Sequence, residues 1–160
     1  MARALLVGCG CRGRMLAAAL ADDGWAVRGT SRTPAGAEAI AAAGGEGVVA
    51  DPDRLGTITD LIGDVTVLVW LMAAVPGEAG ETLNGPRLES LLDKLVASPV
   101  RGLVFEAAGA APADALAAGA VMVEAASERF RIPARVLRAD PADHEAWVTA
   151  AKAAVVSSIS

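Results

Sequence analysis

Six short apolar runs alternate with Ala- and Leu-rich helical stretches, and this alternation constrains the chain more than any other feature. The runs are Ala4–Val7, Ala26–Thr30, Gly47–Ala50, Val65–Leu71, Gly102–Phe105 and Ala134–Leu137. Strands separated by helices cross over to lie parallel to one another, and a parallel sheet is covered by helices on both faces. Each run is apolar enough to be buried on two sides. The expected fold is α/β, a three-layer, doubly wound parallel sheet of about six strands in the order 3-2-1-4-5-6. It occupies residues 1–160 as a single domain.

The helices carry their own punctuation. Asp23-Gly24 closes the first, Thr33-Pro34 opens the second with a cap and a proline in the first turn, and Gly44-Gly45 ends it. Leu55, Ile58, Leu61 and Ile62 recur at helical spacing behind the capping candidates Asp51 and Asp53. Pro86 opens the fourth helix, with Leu88, Leu91, Leu92 and Leu95 as its stripe. Asp140-Pro141 opens the last, with Trp147, Val148, Ala151 and Val155 on one face. Segment 76–85 reads as a loop after the fourth strand. It either closes over a bound molecule or is a solvated connector.

Charge and hydropathy narrow the function classes. A net charge of -5 and a pI near 4.8 leave no basic face to displace counterions from phosphates, so nucleic acid is not an expected partner. The longest apolar run, Val65–Val75, falls well short of the roughly 20 residues that cross a bilayer, so no membrane span is expected. The early apolar run stops at Gly8 and is followed by Arg12 and Arg14, unlike a secretion signal. Two cysteines separated by one residue make no disulfide framework. The expected location is the cytoplasm.

The first strand runs into Gly8-Cys9-Gly10-Cys11-Arg12-Gly13, and a helix follows from Arg14. A Gly-x-Gly-x-x-Gly string in that setting has three separate physical uses. Gly8 allows a tight turn, Gly10 lets a pyrophosphate approach the backbone, and Gly13 lets the helix pack close to the strand. The helix N-terminus adds N–H donors and a partial positive charge for phosphates. The alternative is a purely structural turn.

The end of the second strand bears on which dinucleotide such a loop would take. An NAD-specific site places a carboxylate there against the ribose 2′-hydroxyl. Here the chain reads Arg28-Gly29-Thr30-Ser31-Arg32, without an acid. Arg32 can fork onto a 2′-phosphate, and Thr30 or Ser31 can donate to it, which favours NADP over NAD. Arg12 either adds to that positive field or points to solvent.

On these motifs, with Val48-Val49-Ala50-Asp51-Pro52-Asp53, Val67-Leu68-Val69-Trp70-Leu71-Met72-Ala73-Ala74 and Ala134-Arg135-Val136-Leu137-Arg138, the sequence resembles the atypical and extended short-chain dehydrogenase/reductase superfamily, a Rossmann-fold group, in its NAD(P)-dependent epimerase/dehydratase branch. The resemblance implies that Asp51, followed by Pro52, sits beside the adenine, and that Leu71, Met72 and Ala73 line the central riboses. Asp51 is equally a helix cap, and Trp70 is read as core. The resemblance also implies self-association, here through the helices after strands four and five, to a homodimer.

The departure from the family concerns its chemistry. Its enzymes use a tyrosine as acid/base, a lysine four residues on, and a hydroxyl residue after strand five. This chain has no tyrosine, its lysines are Lys94 and Lys152, and strand five exits through Phe105-Glu106-Ala107-Ala108-Gly109. The stretch Leu116–Glu124 lacks the tyrosine and lysine as well. Glu106 is the one acid placed where a substrate would lie, either as an acid/base raised by burial or as the partner of an arginine. Cys9 and Cys11 are either a reactive pair at a helix N-terminus or simply small loop residues, and no metal site is expected. His144 reads as a surface residue. Three functions compete: an NADP(H) sensor or regulatory module, an oxidoreductase or epimerase-like enzyme with non-tyrosine chemistry, and a scaffold.

Overall fold

The computed structural model describes residues 2–160. In chain order it contains β1 (Arg3–Val7), α1 (Cys11–Asp22), β2 (Ala26–Ser31), α2 (Pro34–Ala42), β3 (Glu46–Val49), α3 (Gly56–Thr59), β4 (Val67–Trp70) and α4 (Gly77–Thr82). A π-helical turn (Leu83–Arg87) then leads into α5 (Leu88–Leu95), β5 (Gly102–Glu106), α6 (Ala113–Phe130), β6 (Ala134–Leu137) and α7 (His144–Ser157). The strands form one parallel sheet in the order β3-β2-β1-β4-β5-β6, as the alternation predicts. The winding reverses between β1 and β4, so a crevice opens at their C-terminal ends.

The sheet divides the core in two. Leu5, Val7, Leu68, Trp70 and Phe105 face α5 and α6, while Ala4, Leu6, Val69 and Val104 face α1 and α7. Only the central strands are buried on both faces. At the edges, Val49 of β3 is 52% exposed and Arg135 of β6 is exposed, which corrects the expectation of two-sided burial for all six strands. An edge strand has a neighbour on one side only, and polar residues there discourage pairing with another chain.

Several helix ends differ from the expected ones. Thr33 does cap α2, its side chain accepting from Gly36 N. Asp51 and Asp53 cap nothing in the short α3, because Asp51 Oδ1 accepts from Asp53 N at 2.9 Å and closes a turn before it. Asp140 likewise bonds Ala142 N, and Asp143 caps α7 by accepting from Ala146 N. The largest correction concerns segment 76–85, which is helical and not a loop. Gly80 packs so close to the Val75 carbonyl that a Cβ would collide with it. Pro86 sits inside the helix, where the ring would clash with a carbonyl one turn back; opening that turn to π geometry relieves the clash.

Candidate functional site

β1 delivers the chain into Gly8, whose φ of 87° is left-handed and whose Cβ would strike Met72 and the Leu71 carbonyl. Two bonds to β2 hold this turn: Gly8 N donates to Thr30 Oγ1 (3.0 Å) and Cys9 N to Thr30 O (2.9 Å). Gly10 is the N-cap of α1, no side chain caps the helix, and a Cβ there would meet nothing within 4 Å. Gly13 is buried, 3.2 Å from Cys9 Sγ as measured from the position of a Cβ. One glycine turns, one leaves the backbone open, and one admits a close neighbour. Thr30 is 1% exposed and fastens the loop.

On the β2 side of the loop lies a groove of about 240 Å³, lined by Gly8, Gly10, Arg14, Ser31, Arg32 and Pro52 among others, with Met72 at its floor. No carboxylate lines it. Arg14 and Arg32 form no ion pair among the described residues, whereas Arg28 is held by Glu46 and Asp64, both at 2.7 Å. Sequence reasoning singled out Arg32 and missed Arg14. The available signal was Arg14's place in the first turn of α1, where Arg14 N donates to Gly10 O. Pro52 reaches the groove; Asp51 is engaged in its turn and by Thr57, whose Oγ1 accepts from Asp51 N at 2.9 Å.

On the other side of the loop, Arg12 turns toward β5. Its Nη2 donates to Glu106 Oε2 at 3.0 Å, and its guanidinium lies 5.3 Å from the centre of the Trp147 ring. Trp147 Nε1 donates to the same oxygen at 3.0 Å. Of the two readings of Arg12, neither solvent nor the Arg32 groove describes where the guanidinium sits. Glu106 is 1% exposed, and burial raises its pKa, opposed first by Arg12 and then by Trp147. These residues enclose a cavity of about 100 Å³ with Gly8, Gly10, Gly13, Leu71 and Ala74. Ala73 is buried, and its carbonyl accepts from Ala111 N at 2.8 Å.

The remaining candidates separate cleanly. Cys9 is buried, and burial pushes its thiol up to about 12, so it is not a reactive thiolate; Cys11 is exposed. No cluster of three or more metal-ligating side chains occurs among the described residues. His144 begins α7 and is exposed. No described helix is long and apolar enough to cross a membrane. Lys152 pairs with Asp23, and Lys94 lies on α5, both away from the loop. A wider groove of about 540 Å³ lies between Ala107–Gly109, α6 and Arg138.

No family model matches the chain, and no curated protein matches it. Solved structures do. A short-chain dehydrogenase/reductase superfamily protein from Agrobacterium tumefaciens with bound NAD superposes with a TM-score of 0.69 at 24% identity, over 85% of this chain and 48% of that one. A UDP-glucose 4-epimerase from Thermotoga maritima with UDP-glucose gives 0.70 at 15% identity, over 85% and 54%. A protein of unknown function from Silicibacter pomeroyi DSS gives 0.56 at 26% identity, over 86% and 53%. The chain thus spans about half the length of these proteins. At such identities the likeness establishes the fold: the chain carries a six-stranded Rossmann arrangement, and in that fold it resembles these dehydrogenase/reductase and epimerase proteins.

Proposed function

We propose that the chain binds a nicotinamide dinucleotide along the C-terminal edge of β1, β2 and β4, and takes NADP(H) in preference to NAD(H). The observation that carries this reading is the acid-free groove at the end of β2, where Arg14 and Arg32 have no ion-pair partner among the described residues and lie beside Ser31. A carboxylate there would repel a 2′-phosphate, and two guanidiniums attract it. The loop fits the rest of such a molecule. The open side of Gly10 and the uncapped N-terminus of α1 would receive the pyrophosphate. Pro52 and Asp51 would flank the adenine, and Leu71, Met72 and Ala73 the central riboses.

Bound, such a dinucleotide supplies hydride-transfer chemistry. The residues that would move a proton beside it are poor in this chain, which has no tyrosine. We therefore read the protein as a cytoplasmic dinucleotide sensor or regulatory module, self-associating through α6. The second reading, an oxidoreductase or epimerase-like enzyme, is favoured by one observation: Glu106 is a buried carboxyl with a raised pKa beside the loop cavity.

Calorimetry with NADPH and NADH tests the first reading. NADPH is expected to bind more tightly, and Arg32→Ala or Arg14→Ala to weaken it by about 1.5–3 kcal/mol each, with NADH little changed. Equal affinities in the wild type overturn it. Cofactor turnover that Glu106→Gln abolishes would replace the sensor reading with the enzyme one.

A further inference from the structure

Glu106 is the only charged residue that is buried among the described residues. Its counter-charge comes from one side chain. Arg12, 22% exposed, reaches it from the second position of α1, and the other donor is neutral, Trp147 Nε1 on α7. Each partner keeps an unused atom. Glu106 Oε1 and Arg12 Nε are buried with nothing bound to them, and both residues border the cavity under Gly8, Gly10 and Gly13. Arg12 also borders an outer cavity with Asp140. Cys11 and Asp140 are the other titratable groups at these cavities, and neither is a cation.

We propose that Arg12 is a shared counter-ion: it exchanges Glu106 for the pyrophosphate of a bound dinucleotide, and Glu106 takes up one proton from solvent, so that binding and protonation are linked. This rests on the dinucleotide reading above. A pyrophosphate carries two negative charges against one on Glu106, and a guanidinium forks onto phosphate oxygens. Arg12 lies in the first turn of the helix whose N-terminus would face that group, so exchanging partners asks for side-chain rotation alone. Glu106 has no such freedom on a central strand. Burial already raises its pKa, and Arg12 is the first influence holding it down. With Arg12 gone, the cost of a buried unpaired charge is removed by protonation. The neutral carboxyl still accepts from Trp147 and gains an O–H to offer into the cavity.

Proton uptake means that affinity falls as pH rises between the free and bound pKa of Glu106, by up to about tenfold per pH unit. The test is titration calorimetry of the full chain with NADPH near neutral pH, in two buffers of different ionisation enthalpy. The dependence of heat on buffer counts protons. A 2′-phosphate, with a second pKa of about 6, releases protons when it meets arginines, so the quantity read is the wild type minus Glu106→Gln. The expected result is up to one more proton taken up per site by the wild type than by Glu106→Gln, and an affinity that falls more steeply with rising pH in the wild type than in that variant. Arg12→Gln provides the second variant: Glu106 then lacks its counter-ion both before and after binding, so the proton count falls to that of Glu106→Gln and affinity drops. Equal proton counts in the wild type and Glu106→Gln overturn the linkage while leaving the dinucleotide reading intact. Absence of any binding heat or displacement with NADPH or NADH overturns both.

Discussion

Cys9 and Cys11 stand two positions apart and have opposite chemistries. Cys9 fills the space between Gly13 and Gly29 at 3% exposure, and Cys11 faces outward from the first turn of α1. An alkylating reagent at pH 8 is therefore expected to add once to the folded protein, at Cys11, and twice in denaturant; peptide mass mapping reads the difference, and native labelling of Cys9 would refute its burial. Glu106 makes a second prediction at this scale. Its folded pKa lies above the ordinary 4.5, so the folded state holds the proton more tightly than the unfolded one. The stability this contributes is complete below about pH 4.5 and is lost as pH rises through the folded value. Thermal melts of the wild type and Glu106→Gln should show the wild type losing ground as pH is raised from about 4.5 toward neutrality. A difference that is flat across that range would put the raised pKa in error.

The stretch α4, π turn and α5 is held as one unit by Asn84, whose Nδ2 donates to Met72 O (3.2 Å) and Gly80 O (2.9 Å) at zero exposure. Asn84→Ala removes one of the donors to each carbonyl, leaving Val75 N on Met72 O and Leu83 N on Gly80 O, and is expected to cost about 1–2 kcal/mol, read as a lower denaturant midpoint. An unchanged midpoint would mean that the π turn stands without this clamp. The same stretch marks where sequence reasoning stopped. Apolar runs located the six described strands, the central ones most plainly because a strand buried on both faces is a continuous apolar run, and the glycine loop was legible because its spacing matches three distinct backbone demands. Pro76, Gly77 and Gly80 read as a loop, and Pro86 as the start of a helix, because local propensity is blind to what a buried asparagine and a tight approach to Val75 supply. Arg12, Glu106 and Trp147 were legible singly, but their meeting joins positions 94 and 41 residues apart, and only the closed sheet makes it. Arg14 was overlooked because its place in the first turn of α1 was the one signal, and that place alone does not separate a groove-lining arginine from a solvated one.

At the scale of the whole molecule, the sheet demands cover on both faces, and this decides what is left for association. Leu88, Leu91, Leu92 and Leu95, expected to supply an interface stripe, are 0–3% exposed and turned onto the sheet with Trp70 and Phe105. The groove between α5 and α6 is edged by Glu89, Asp93 and Arg129, a charged border. Of the two helices proposed to pair copies of the chain, α6 keeps Val121 outside along its length at 68% exposure, whereas α5 exposes only its cap, Val96. Two substitutions then separate core from interface. Leu91→Ala removes a fully buried side chain and is expected to cost about 2–5 kcal/mol in denaturant unfolding, with an unchanged sedimentation coefficient. Val121→Glu is expected to leave stability within about 0.5 kcal/mol, because the site is exposed, and to dissociate whatever dimer the wild type forms at tens of micromolar. A wild type that sediments as a monomer throughout that range removes self-association from the reading. A shift in sedimentation caused by Leu91→Ala would return the leucine stripe to an interface and contradict its burial against the sheet.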